Sequence, residues 1–108
     1  MANGLAGSLV LPNSSLNLVA TVSTKCLSAK IDITVTNPTG ADVAVQIALT
    51  ANGLSTPNPD DYIEKGVVAA ANGGGYSKTE IKVRPGTKVF ILGALNLVTR
   101  VDQELKLS

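Results

Sequence analysis

Apolar residues recur at every second position along most of this chain. In residues 30–36, Ile31, Ile33 and Val35 share one face, and Lys30, Asp32, Thr34 and Thr36 share the other. That alternation is the mark of a β-strand with one buried and one wet face. After Asn37-Pro38-Thr39-Gly40-Ala41-Asp42, a run of turn-forming residues, the alternation resumes at Val43, Val45, Ile47 and Leu49, so residues 30–50 read as a hairpin. Upstream, Leu16, Leu18, Ala20 and Val22 define an earlier strand that only Val19 breaks. Downstream, residues 62–70 form a less regular strand with Gly66 as a candidate bulge. Asn72-Gly73-Gly74-Gly75 supplies residues tolerant of positive φ and reads as a hairpin tip. In residues 76–83 the pattern puts Thr79, Ile81 and Val83 inward and Lys78, Glu80 and Lys82 outward. Arg84-Pro85-Gly86-Thr87 has Pro second and Gly third, as a type II turn requires. The unbroken apolar run Val89–Leu92 predicts a central strand buried on both faces. Residues 93–102 read as a further strand kinked at Gly93, and the tail 103–108 as an edge strand.

Seven or eight strands at intervals of about ten residues define an all-β protein, an antiparallel β-sandwich of jelly-roll or immunoglobulin-like type. Residues 1–15, rich in Gly, Asn and Ser around the apolar Leu9–Leu11, read as an N-terminal arm or edge strand. Residues 16–108 are the sandwich domain. The longest irregular stretch, 51–61, reads as a surface loop because of its prolines, asparagines and paired aspartates. A chain of 108 residues forms one domain and buries roughly two-thirds of its unfolded surface. Only 3% of residues are aromatic, so the core must be built from Val, Leu, Ile and Ala. Charged residues make up 16%, against about 25% in typical domains. A weakly charged surface costs less to desolvate, which suits a protein packed in an assembly.

The inventory of reactive groups is thin. With no histidine, the chain lacks the commonest general base and the commonest metal ligand, and no Ser-His-Asp or Cys-His arrangement can form. The expectation is a protein that is not an enzyme and carries no cofactor. Cys26 is the sole cysteine, so no intrachain disulfide forms, and it reads as a small buried apolar residue. The net charge is +1, and the basic residues are interleaved with acids, which points away from nucleic acid. No leader-type N-terminus and no apolar run of membrane-spanning length is visible. Asp60 and Asp61, with Asn58 and Glu64, form the one local acidic cluster. A calcium ion takes about six to eight oxygens, which makes Asp60, Asp61 and Glu64 candidate ligands. The simpler role is an aspartate that ends a Pro-rich loop by bonding its own backbone. The Gly-rich 72–75 segment precedes a strand, whereas a phosphate loop opens a helix. Tyr62, Tyr76 and Phe90 are the whole aromatic set, too few for a sugar-stacking platform.

The segment from Asp60 to Glu104 resembles the C-terminal half of small all-β virion structural proteins of tailed bacteriophages. The likeness is carried by Asp61, Tyr62 and Ile63; by Thr79, Ile81, Val83, Pro85, Gly86, Lys88, Val89, Phe90 and Ile91; and by Val98, Arg100 and Val101. It covers under half of the chain and rests on strand and turn residues. It implies a capsid decoration (cement) protein located on the virion's capsid surface, bound to the major capsid protein and assembled as a homo-oligomer, a trimer or dimer. A tail- or fibre-associated structural protein is the neighbouring implication. A calcium- or carbohydrate-binding sandwich module is the alternative class. For a capsid-bound protein the apolar Leu5, Leu9, Val10 and Leu11 are the interface candidates.

Overall fold

The structure, a computed structural model, describes residues 2–50 and 56–107. Eight strands form: β1 (Ala2–Val10), β2 (Leu16–Thr21), β3 (Ser28–Asn37), β4 (Val43–Thr50), β5 (Tyr62–Ala69), β6 (Gly74–Val83), β7 (Lys88–Leu92) and β8 (Val98–Lys106). They make two four-stranded sheets, β1-β8-β3-β6 (sheet I) and β2-β7-β4-β5 (sheet II), antiparallel at every pairing. The sheets pack face to face as a β-sandwich around Leu11, Val22, Ile31, Ile33, Val35, Val45, Ile47, Val89, Ile91, Leu97 and Val101, all essentially inaccessible.

The pairings β1–β8, β2–β7, β3–β6 and β4–β5 are nested. The chain is therefore one long antiparallel ribbon whose tip is the connection between β4 and β5. The ribbon wraps so that β8 also meets β3 and β7 also meets β4. This order is that of an eight-stranded jelly roll. Every connection except β4–β5 passes from one sheet to the other. The hairpin expected over residues 30–50 does not form, because β3 and β4 lie in different sheets. The Gly-rich 72–75 segment is likewise a corner between sheets. Residues 93–97 are a turn, and the expected tail strand is the end of β8, which runs through the interior of sheet I between β1 and β3.

Bulges explain where the alternation misleads. A register shift at Val19 reverses the parity of β2: Leu18 faces outward, opposite Phe90, while Val19, Ala20 and Val22 are buried. A shift in β6 opposite Asp32 puts Lys78 beside Ile33 and leaves Thr79 exposed. It is built on Glu80 at φ +56°, whose N–H donates to Asp32 Oδ1 at 2.8 Å. Gly66, at φ +124°, is the extra residue of a bulge in β5, as expected. Gly86, at φ +82°, closes the Arg84–Thr87 turn, and β7 is buried on both faces at Val89, Phe90 and Ile91. Gly7 sits where β1 crosses β2, and a side chain there would run into Val19 O and Ala20.

At each corner the two halves of the ribbon cross between sheets together and stay hydrogen-bonded. Leu11 N–H donates to Leu97 O (2.8 Å) and Asn96 N–H to Leu11 O (2.9 Å). Val22 N–H donates to Thr87 O (2.8 Å) and Gly86 N–H to Val22 O (3.2 Å). At the third corner Asn37, fully buried, uses its whole amide. Its Nδ2 donates to Ala41 O (2.8 Å) and Ala69 O (2.9 Å), and its Oδ1 accepts from Thr39 N–H (3.0 Å) and Thr39 Oγ1 (2.6 Å). Gly73 N–H donates to Asn37 O and Asn72 N–H to Thr39 O, both at 2.8 Å. Truncating Asn37 takes a donor from the buried Ala69 carbonyl and the acceptor from the half-buried Thr39 amide, while Ala41 O keeps its bond from Thr39 Oγ1; each unmet group costs ~1–3 kcal/mol. Asn37→Ala is expected to lower unfolding free energy by about 3 kcal/mol, as read by urea denaturation, with an unchanged denaturant slope.

Candidate interaction surface

The residues with chemical potential do not converge. Asp60 is exposed on a single-turn 3-10 helix, Pro59–Asp61. The Asp61 carboxylate accepts from Asn58 N–H (2.8 Å) while Asp61 N–H donates to Asn58 O (2.9 Å), a closed local turn. Glu64 lies on β5 and accepts a hydrogen bond from the Tyr76 hydroxyl of β6. Asp61 and Glu64 are thus spent on separate partners, and among the described residues no group of three acidic, cysteine or histidine side chains is placed to hold a metal. Residues 51–55 of the expected loop lie outside the described residues. Cys26 is half-buried against the core, its thiol directed at Ser23 O (3.4 Å).

The aromatic side chains are dispersed as well. Phe90 is buried, Tyr76 packs on the core, and Tyr62 is half-buried beneath Lys65 Nζ, 5.5 Å from the ring centre. A concavity of about 400 Å³ lies on the outward face of sheet I and includes Lys30, Asp32, Glu80, Arg100, Asp102 and Glu104. Three of its charged groups are engaged: Arg100 Nε meets Asp102 at 3.1 Å, and Asp32 accepts from Glu80 N–H. No helix among the described residues is long and apolar enough to cross a membrane.

The distribution of charge distinguishes one side of the molecule. The first charged side chain in the chain is Lys25, so β1 and β2, which lie side by side across the sandwich at Gly7, carry none. Sheet I outside β1 bears Lys30, Asp32, Lys78, Glu80, Lys82, Arg100, Asp102, Glu104 and Lys106. In sheet II the strands β2, β7 and β4 bear only Lys88, at the start of β7, and β5 adds Glu64 and Lys65. Across the outward face of sheet II runs an apolar row, Leu18, Phe90, Ala48 and Tyr62, in mutual register. Leu16 and Leu92 stand beside it, paired and half-buried. Of that row Leu18 is the exposed member, at 46%; Tyr62 is half-buried, and Phe90 and Ala48 are buried within the chain itself.

The four interface candidates divide across this region. Leu5 and Val10 point outward from β1 at 49% and 55% exposure. Leu9 faces inward, opposite Thr99, and packs against the core. Leu11 is fully buried in the sandwich and has no surface to offer a partner. Residue-by-residue reading missed Leu18, because it assigned β2 the wrong parity. The readable signal was the run without charge before Lys25. No protein-family model and no characterised protein sequence matches this chain.

The Tyr76–Glu64 bond ties the edge of sheet I to the edge of sheet II. Burial, reinforced by the hydrogen bond and the negative charge of Glu64, pushes the Tyr76 hydroxyl up to about 12 from an ordinary 10.0. The unfolded chain then loses the phenolic proton first, so this contribution to stability is intact below pH 10.0 and is lost as pH rises toward about 12. Tyr76→Phe is expected to cost about 1 kcal/mol at neutral pH and to flatten the alkaline loss of stability. Thermal melts across that range in both proteins check it.

Proposed function

We propose that this chain is a non-enzymatic virion structural protein, a capsid decoration (cement) protein that binds the major capsid protein on a tailed-phage head and stabilises it. One observation carries the reading beyond the sequence resemblance. Charge is concentrated on the outward side of sheet I, while β2 and the outward face of sheet II are nearly free of it and present Leu18. A surface of this kind is covered at low desolvation cost. The jelly roll is used by viral capsid domains and also by lectins and cupins, so the fold supports the reading by analogy alone. The dispersal of the aromatic side chains and of Asp61 and Glu64 favours a structural role over a sugar- or calcium-binding one.

On this reading sheet II docks on the capsid and the charged face of sheet I stays in solvent. A cement protein acts by bridging neighbouring subunits, and many equivalent weak contacts sum to a large stabilisation. The test is co-sedimentation of purified protein with heads of the phage that carries this gene, followed by electron microscopy of the decorated particles. Leu18→Glu is expected to weaken binding by about tenfold or more, because it buries an unpaired carboxylate at the contact. Lys30→Glu, on the opposite face, is expected to leave binding unchanged. Binding unaffected by Leu18→Glu overturns sheet II as the docking face. Density at the tail overturns the capsid assignment, and no association with the virion overturns the proposal.

A further inference from the structure

The sandwich has four edge strands: β1 and β6 in sheet I, β2 and β5 in sheet II. An edge strand offers an unpaired row of backbone donors and acceptors, and proteins guard such edges with charge, proline, bulges or shortness. Three of the four are guarded. β6 carries Lys78, Glu80 and Lys82 and is distorted where Glu80 turns to φ +56°. β5 carries Glu64 and Lys65 and is interrupted by two register shifts. β2 is six residues long with a shift at Val19. β1 is different: nine residues, Ala-Asn-Gly-Leu-Ala-Gly-Ser-Leu-Val, with no charge and no proline. Its single irregularity, between Leu5 and Gly7, leaves Leu5, opposite Asp102, and Ser8, opposite Arg100, on the same outward face.

We propose that β1 is a self-pairing edge, and that two copies of this chain join β1 to β1 antiparallel about a two-fold axis, merging both copies of sheet I into one continuous eight-stranded sheet. The partner follows from the edges themselves. A head-to-tail contact would set β1 against β6, β5 or β2 of another copy, each of which is charged, bulged or short, and unless its rotation closed a ring it would leave open edges that propagate into a fibre. The two-fold contact uses the one unguarded edge twice and closes at two copies. Main-chain hydrogen bonds supply the attraction, and an uncharged strand sets no like charges against each other across the axis. This deepens the homo-oligomer implied by the decoration-protein reading and does not depend on capsid binding, since it concerns the isolated protein.

Charge placed on β1 tests it. Leu5 and Ser8 are exposed and face outward together, so Leu5→Lys/Ser8→Lys and Leu5→Glu/Ser8→Glu each leave the core intact while setting like charges near the axis. Sedimentation velocity over a concentration series reads the association, and thermal melts confirm that the variants fold. The wild type is expected to form dimers. Each variant alone is expected to associate about tenfold more weakly or less still, and an equimolar mixture of the two to recover dimer, because opposite charges then meet. A wild type that stays monomeric at every concentration, variants that associate as the wild type does, or a mixture that fails to recover each overturns β1–β1 pairing. None of these results bears on capsid binding through sheet II.

Discussion

Corners are the hard part of this fold, and Asn37 shows how they are solved. A ribbon that turns from one sheet into the other must release its ladder hydrogen bonds where the strands bend, at positions that include the fully buried Asn37 and Leu11. A buried backbone group without a partner is costly. At the corner joining β3 to β4 and β5 to β6, the Asn37 amide meets that demand with two donated and two accepted bonds that span both halves of the ribbon. Asp42 adds a further tie by accepting from Ala71 N–H. At the other two corners backbone pairs carry the crossing, at Leu11 with 96–97 and Val22 with 86–87. An apolar residue at position 37 would pack but could not carry the pairing across, which is why a wholly buried amide stands beside the aliphatic core.

With the corners held, the register of each strand fixes which side chains enter the core. The bulges then act as parity switches. In β2 the shift at Val19 returns Ala20 and Val22 to the interior while freeing Leu18 to the outside. In β6 the Glu80 shift keeps Ile81 and Val83 against the core and twists an exposed edge out of regular geometry. The same local device therefore serves packing in one strand and edge protection in another.

Local chemistry was legible in the sequence and pairing was not. The alternation in β3, the doubly buried β7, the Gly66 bulge and the Pro85-Gly86 turn all follow from side-chain period and φ preference, which are properties of neighbouring residues. Pairing is a property of residues far apart: Asn37 faces Gly74, and Leu5 faces Asp102. Turn-forming residues at 37–42 and 72–75 announce a reversal of the chain, yet they cannot say whether the next strand lies beside the last one or in the opposite sheet. In a nested ribbon nearly every reversal is of the second kind, so hairpins expected from turn signals become corners. The candidate surface was harder still. Leu5 and Val10 were identifiable as apolar residues, but Leu9 and Leu11 from the same run face inward, and only the register with β8 separates them.

The absence of charge before Lys25 has a structural reading that joins these observations. β1 and β2 are the first strands of the chain, and the nested pairing puts both on the same side of the sandwich, one at the edge of each sheet. A feature that looks in sequence like a bland N-terminal stretch becomes, in three dimensions, a whole flank of the molecule. Soluble folds ordinarily spend Lys and Glu on such flanks to repel neighbouring chains. This chain places those residues on β6 and β5, at the opposite flank, and leaves β1 and β2 bare. A surface without repulsion is tolerable where something covers it. The asymmetry between two otherwise equivalent flanks of one sandwich is therefore the physical observation on which the proposed contacts with other chains rest.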